Sequence, residues 1–348
     1  MTWPTKKLGE VLEYEQPTKY LVGSTDYKDE YQTPVLTAGK SFFLGNTDEK
    51  TGIFPKEKLP VIIFDDFTTA IKFVDFPFKV KSSAMKILHA KKNEADIRFL
   101  FYKMLTIKFQ HNQHKRYWIS ECSNLKISVP PVRVQKKIVG RLDKIVEAQK
   151  LNDELIKKTD ELFQSLLHKE LSPAGKVWKE DKFVNCIEKN PLKIKGIPRE
   201  KYQTTGKFPI VDQSDKFIVG YTDDESRIYK MDSPVIIFGD HTRIFKYIDF
   251  NFAIGADGTQ IIIPDKKKFI PEFFYFLMLN LKIDNLGYSR HFKILKTKKI
   301  NIPTVEDQKK IVAKLSAVQD YKKQLLEQKA KLKELFDSVL SKSIKNEL

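Results

Sequence analysis

Cysteine is nearly absent: 348 residues carry two, Cys122 and Cys186. They have no CxxC spacing, which argues against a structural zinc site or a disulfide framework and fits a reducing, cytoplasmic setting. No apolar run approaches the roughly 18 residues of a membrane span, and the opening MTWPTKKLGEV lacks the apolar core of a signal peptide. The 14 glycines fall in no cofactor loop, and there is no GxxxxGK[ST], no GxSxG and no HExxH. His111 and His114 stand three apart without a third ligand, so no metal site is expected; a loop at a polyanion fits them better. Asp65, Asp66 and Asp240 have the chemistry of nuclease ligands, but no E-x-K follows at useful spacing, and a turn role is expected instead.

What is abundant is positive charge. Lys and Arg number 62 against 45 Asp and Glu, a net +17 with a pI near 9.4. Such an excess points to a polyanion, most often nucleic acid. The chain also repeats itself. Pro60–Phe64 reads PVIIF, and so does Pro234–Phe238, 174 positions later; Gln135–Val139 reads QKKIV, and so does Gln308–Val312, 173 later. Two identical pentapeptides in the same order, almost equally displaced, indicate a duplicated unit of about half the chain.

Each unit opens on a Trp (Trp3, Trp178) with apolar residues following: Leu8, Val11 and Leu12 in one, Phe183, Cys186 and Ile187 in the other. Short strands are expected at Pro34–Leu36 and Pro209–Val211, then at Phe42–Gly45 and Phe217–Gly220. PVIIF is the strongest strand, apolar throughout and rich in β-branched residues, as suits burial on both faces. A polar turn follows, DDFTT or GDHTR, then an alternating strand (Ile71, Phe73; Phe245, Tyr247), giving a hairpin with an exposed tip. An aromatic helix is expected at Ile97–Leu105 and Pro271–Leu279, then a basic-aromatic loop (HNQHKRYW; GYSRHF), then a strand ending in proline.

Both units end in a helix of about 35 residues, roughly 50 Å long. Its apolar seam runs through Ile138, Leu142, Ile145, Leu162 and Leu166 in the first copy and Ile311, Leu315, Val318, Leu332 and Val339 in the second. Steps of three and four predict two helices packed on each other in coiled-coil fashion. The expected boundaries are 1–131 and 172–304 for the globular units, and 132–171 and 305–348 for the helices.

The residues that remain for function are binding residues. Thr68, Thr69, His241, Thr242 and Arg243 at the hairpin tips, with Lys115, Arg116, Tyr117, Arg290 and His291 in the basic loops, carry groups that reach phosphates or base edges. Lys40 and Lys216 are candidate phosphate contacts. Frameworks match between the units and tips differ, as expected of two modules reading different sequences.

Residues Trp3–Val11 (WPTKKLGEV) and the second opening at Trp178 carry a resemblance, together with Ile127–Val139 (ISVPPVRVQKKIV) and Asn301–Val312 (NIPTVEDQKKIV). Over essentially its whole length the chain resembles the specificity subunit of type I restriction-modification systems. In the second junction Thr304 replaces the second proline, where it can cap the helix instead. The PP dipeptide at Pro130–Pro131 also faintly resembles that of amino-methyltransferases but lacks its polar and aromatic neighbours.

The specificity-subunit resemblance implies an α/β (α+β) fold. Two mixed α/β target recognition domains are separated by two long antiparallel coiled-coil helices in a pseudo-twofold arrangement. It implies that each domain reads half of a bipartite double-stranded DNA site and that helix length sets the gap. It implies two modification subunits using S-adenosylmethionine to methylate adenine, and restriction subunits using ATP and Mg2+. This chain would be non-catalytic, bind no cofactor and no membrane, and act in the cytoplasm of a bacterium or archaeon. Two alternatives stay open from the residues alone: a single-chain nuclease or methyltransferase with diverged motifs, and a coiled-coil interaction protein with no role on DNA.

Overall fold

The computed structural model describes residues 3–37, 41–91, 94–108, 116–189, 194–255, 258–287 and 289–345. The chain forms two compact units. One comprises residues 1–153 with 327–348, the other 154–326. The long helices, Val132–Leu171 of 40 residues and Val305–Lys345 of 41, each begin in one unit and end in the other. At 1.5 Å per residue each is about 60 Å long.

In the first unit the VIIF of PVIIF and the following Asp65 form Val61–Asp65, with every residue of the strand buried. Antiparallel partners flank it, Ile71–Val74 on one side and Met85–Ala90 on the other, and Leu12–Glu15 adds a fourth strand beyond the latter. The second unit repeats this sheet with Val235–Gly239, Phe245–Ile248, Thr259–Pro264 and Ile187–Glu188. The strand on the far side of PVIIF went unanticipated in both copies. Met85–Ala90 contains Lys86 and His89, which break the apolar pattern, yet the sheet buries Lys86 completely. A second sheet, three-stranded in the first unit and four-stranded in the second, carries Thr33–Leu36 or Phe208–Val211 as an inner strand. There the expectation at Phe217–Gly220 is corrected: the strand is Gly220–Thr222, and Phe217 lies in the loop before it. The opening strand of each unit pairs antiparallel with its last one, Thr5–Lys7 with Lys126–Ser128 and Lys179–Lys182 with Lys299–Ile302.

The aromatic helices, Ile97–Met104 and Pro271–Asn280, lie between sheet and long helices. In the first unit the start of one long helix (Ile138, Leu142) and the end of the other (Phe336, Val339, Leu340) share a core with Phe99, Leu100 and Tyr102. In the second, Leu167 and Leu171 meet Ile311 and Leu315 over Phe273, Phe274 and Phe276. Within the first unit Gln149 Nε2 donates to the Leu332 carbonyl at 3.2 Å and Lys329 pairs with Asp153 at 2.8 Å. Within the second, Lys322 pairs with Asp160 and Lys314 with Glu170. Partners rise along one helix as they fall along the other, so the pairing is antiparallel in each unit.

One seam position is corrected. Leu162 is 51% exposed, and Phe163 turns inward instead, its ring 6.1 Å from that of Phe276. The helix must satisfy a domain as well as a partner helix, and an ideal helix drifts about 20° per heptad from a fixed seam. Ile138, Leu142, Ile145, Ile311 and Leu315 are buried; Leu166, Val318, Leu332 and Val339 are half-buried.

The repeated QKKIV has a physical reason. Gln135 and Gln308 are fully buried near the start of each long helix. Gln135 Oε1 accepts from the Asp96 N–H at 2.7 Å, and its Nε2 donates to the Pro130 carbonyl at 2.7 Å. Gln308 accepts from Ile270 N–H at 2.8 Å and donates to the carbonyls of Lys268 and Pro303. Each glutamine thus stitches the N-terminus of the aromatic helix to that of the long helix. Thr304 caps the second helix as expected, its Oγ1 accepting from Asp307 N–H at 3.2 Å. Replacing either glutamine with alanine strands buried backbone groups at about 1–3 kcal/mol apiece. Gln135→Ala and Gln308→Ala should each lower the denaturant midpoint of their own unit, resolved by tryptophan fluorescence from Trp118 or Trp178.

Candidate nucleic-acid interface

Each hairpin tip is a four-residue turn closed by the same bonds. In the first unit Asp65 N–H donates to Ala70 O and Thr69 N–H to Asp65 O, both at 2.9 Å. In the second, Gly239 N–H donates to Ile244 O at 2.9 Å and Arg243 N–H to Gly239 O at 2.7 Å. Thr69 and Arg243 are equivalent, and both adopt left-handed backbone, φ 57° and 62°. That conformation costs about 1–2 kcal/mol in an L-residue, and for β-branched Thr69 it is a true outlier.

A buried carboxylate pins each tip to the basic-aromatic segment. Asp66 O accepts from Tyr117 N–H at 3.0 Å and its Oδ1 from Trp118 N–H at 2.8 Å. Asp240 O accepts from His291 N–H at 2.9 Å and its Oδ1 from Phe292 N–H at 2.7 Å. The carboxylates start short helices, Tyr117–Ser120 and Phe292–Leu295, where loops were expected. Beyond this shared pin the units diverge. Asp66 also faces the Lys86 ammonium at 3.5 Å, both side chains fully buried, whereas Gln260 holds the position of Lys86 in the second sheet.

The turns are tied differently too. Asp65 accepts from Phe67 N–H at 3.0 Å and from the Thr68 hydroxyl. The second unit has Gly239 there, where a Cβ would lie 2.0 Å from Thr242 Oγ1. Its turn is held from outside by Gln213, whose Oε1 accepts from His241 N–H at 3.1 Å and whose carbonyl accepts from Thr242 Oγ1 at 2.6 Å. Buried Lys246 steadies that neighbouring loop by donating to the Asp212 and Lys216 carbonyls. Burial lowers the pKa of Lys246.

Several expected contact residues are corrected. Tyr117 and His291 are 1% and 0% exposed. His291 Nδ1 lies 2.9 Å from the Asp240 carbonyl, and its Nε2 accepts from Leu286 N–H at 3.1 Å, so its ring holds the loop together. Thr69 is buried with its hydroxyl on the Thr68 carbonyl. Arg243 is half-buried and donates from a terminal nitrogen to the Ile283 carbonyl at 3.2 Å, which fastens the tip to the following loop. Thr68, Arg116, Lys216, Thr242 and Arg290 are exposed, and His241 is half-buried. Arg116 and Arg290 immediately precede the pinned residues, so each cation sits on the segment bonded to its tip. Lys40 and Lys115, like His111 and His114, lie outside the described residues.

Asp65 has the turn role expected of it, whereas reasoning from sequence missed Lys86, Gln213 and Lys246. Gly258 was the available signal for Gln213: with φ 86°, a Cβ there would meet the Gln213 amide at 2.6 Å and the His241 ring at 2.9 Å. Among the described residues no group of three or more His, Cys, Asp or Glu could hold a metal ion, and no helix is long and apolar enough to cross a membrane. The thiols of Cys122 and Cys186 are buried, which pushes them up to about 12 and about 11.

A model of the type I restriction modification DNA specificity domain matches residues 1–159 and 187–335. Over 147 residues the chain is 50% identical to the Type I restriction enzyme EcoR124I/EcoR124II specificity subunit of Escherichia coli, covering 39% of this chain and 36% of that protein. Two solved structures share the fold. The type I restriction-modification S subunit from M. genitalium matches at TM-score 0.68 and 16% identity, over 99% of this chain and 96% of its own. A second, from work on assembly and conformational transition of the type I R-M system, matches at 0.60 and 18%, over 100% and 98%.

Removing Asp66 isolates a buried lysine, which costs about 3–5 kcal/mol. Removing the Asp240 side chain forfeits one hydrogen bond, that from Phe292 N–H, at about 1–3 kcal/mol. Asp66→Ala should therefore destabilise its unit more than Asp240→Ala does, and the added substitution Lys86→Gln should recover part of the Asp66→Ala loss in urea unfolding.

Proposed function

Because the chain belongs to the type I restriction-modification DNA specificity family, we propose that each of its units reads one half of a bipartite duplex DNA site. The observation that carries this is a shared pin under unlike tips. Asp66 and Asp240 hold the hairpin in the same way, while the turn beyond presents Phe67 and Thr68 in one unit and His241 and Thr242 in the other. A common framework fixes where the tip stands, and the side chains on it fix which bases it accepts. Exposed Arg116 and Arg290 supply phosphate contacts beside the tips, and the net +17 supplies long-range attraction.

In this reading the chain contributes recognition and assembly rather than catalysis. Modification subunits carry S-adenosylmethionine and restriction subunits carry ATP and Mg2+, docking on this scaffold in the cytoplasm. Methylome sequencing of cells expressing the chain with its modification subunits should return a two-part adenine-methylated site. Methylation or cleavage by the purified chain alone, given S-adenosylmethionine and Mg2+, would overturn the division of labour. Arg116→Ala and Arg290→Ala should each weaken duplex binding by the assembled complex and lower the magnitude of its salt slope by about one. Arg243→Ala should act chiefly on the stability of the second unit, because the guanidinium is bonded to its own chain.

A further inference from the structure

Phe67 stands at the outer end of the first hairpin with 47% of its surface exposed. A lone exposed aromatic is ordinary on a protein surface, but this one sits on a backbone that is unusually fixed. Its own N–H is bonded to Asp65 Oδ1 at 3.0 Å. The residue before it, Asp66, is buried, paired with Lys86 and bonded to two N–H groups of the next segment. Two residues later, Thr69 is held in left-handed backbone at φ 57°. Strain of this kind persists where surrounding bonds impose it and gathers at ligand contacts. The ring is therefore presented at little further cost in order.

Its surroundings specify the ligand. The N–H of Tyr117 is bonded to the carbonyl of Asp66, so exposed Arg116 lies on the chain segment directly beside the tip. Exposed Lys72 is on the outgoing strand of the same hairpin, opposite Ile63. An exposed ring on a tip whose neighbouring chain segments carry exposed cations suits a DNA groove: the cations take phosphates, and the ring meets the one apolar group on a major-groove base edge, the thymine 5-methyl. The second unit has His241 at this position, half-buried and with its N–H on Gln213.

Building on the DNA reading above, we propose that Phe67 is a specificity-determining residue of the first unit, packing against the methyl group of a thymine in its half-site. Burying one methyl is worth about three- to fivefold in affinity. The test uses the complex assembled with its modification subunits. Selection from randomised duplexes defines both half-sites. Each thymine is then replaced singly by deoxyuridine, which removes only the methyl, and binding by wild type and Phe67→Ala is compared. At one thymine of one half-site, deoxyuridine should weaken the wild type about three- to fivefold and leave Phe67→Ala unchanged. The other half-site should respond alike in both proteins.

Indifference of the wild type to every thymine methyl would overturn the inference, as would a Phe67→Ala complex that keeps the full response. If 2-aminopurine beside that step brightens on binding wild type but not Phe67→Ala, the ring is wedged between bases and the methyl contact is wrong. Absence of any selected sequence would overturn the DNA reading itself, whereas selection without methyl dependence overturns only the role of Phe67.

Discussion

A buried aspartate that accepts one N–H on its carbonyl and the next on its carboxylate, from 51 and 52 residues further along the chain, is the constraint on which each unit turns. A hairpin of one five-residue and one four-residue strand would be a poor platform by itself, because an isolated hairpin is marginal in water. Asp66 and Asp240 make the tip part of the core. Each joins the turn after the central strand to the start of a short helix whose aromatic residue packs under the sheet: the Trp118 ring is 5.4 Å from Phe64, and the Phe292 ring 6.1 Å from Phe238. The pin and the packing fix the same two segments, and the exposed cations Arg116 and Arg290 inherit their positions from it.

The long helices are fastened by a related device. Gln135 and Gln308 serve as both donor and acceptor where two helices and a proline-ended strand converge. An amide is the side chain that satisfies an N–H and a carbonyl together, and the lysines that follow it point to solvent while the isoleucine returns to the core. Each turn of QKKIV therefore has a separate task, and the string recurs because both units pose the same local problem. The second junction shows what is free to vary: Thr304 takes the place of Pro131 and starts the helix by capping it.

The hairpin strands, the aromatic helices and the long helices were legible because each has a strong period or an uninterrupted apolar run. The strand Met85–Ala90 was not, since Lys86 and His89 spoil its pattern. Inside, the Lys86 ammonium meets Asp66 and the face of the Tyr14 ring, partners no local window contains. The same limit explains the contact residues. RYW and RHF read as exposed basic-aromatic loops, and the arginines are exposed, but Tyr117 and His291 are drawn inside by bonds to residues more than 50 positions away.

By itself the sequence determined the duplication, the order of elements within each copy, the two long helices, and a family membership that rests on motifs occurring in order twice. Those features are local or periodic, and local energetics suffice to write them. Only the tertiary structure decided which polar residues face outward. Thr68 and Thr69 are neighbours of one type, yet one is exposed and the other buried in left-handed backbone. Arg243 and Arg290 share a charge, yet one is fastened to a carbonyl of its own chain and the other is exposed. Exposure at a tip is settled by what lies beneath it: a carboxylate at Asp65 in one unit, the Gln213 loop in the other. PVIIF was the same string in both places and remains the same buried strand; what it presents at its end depends on the contacts that tie down the turn beyond it.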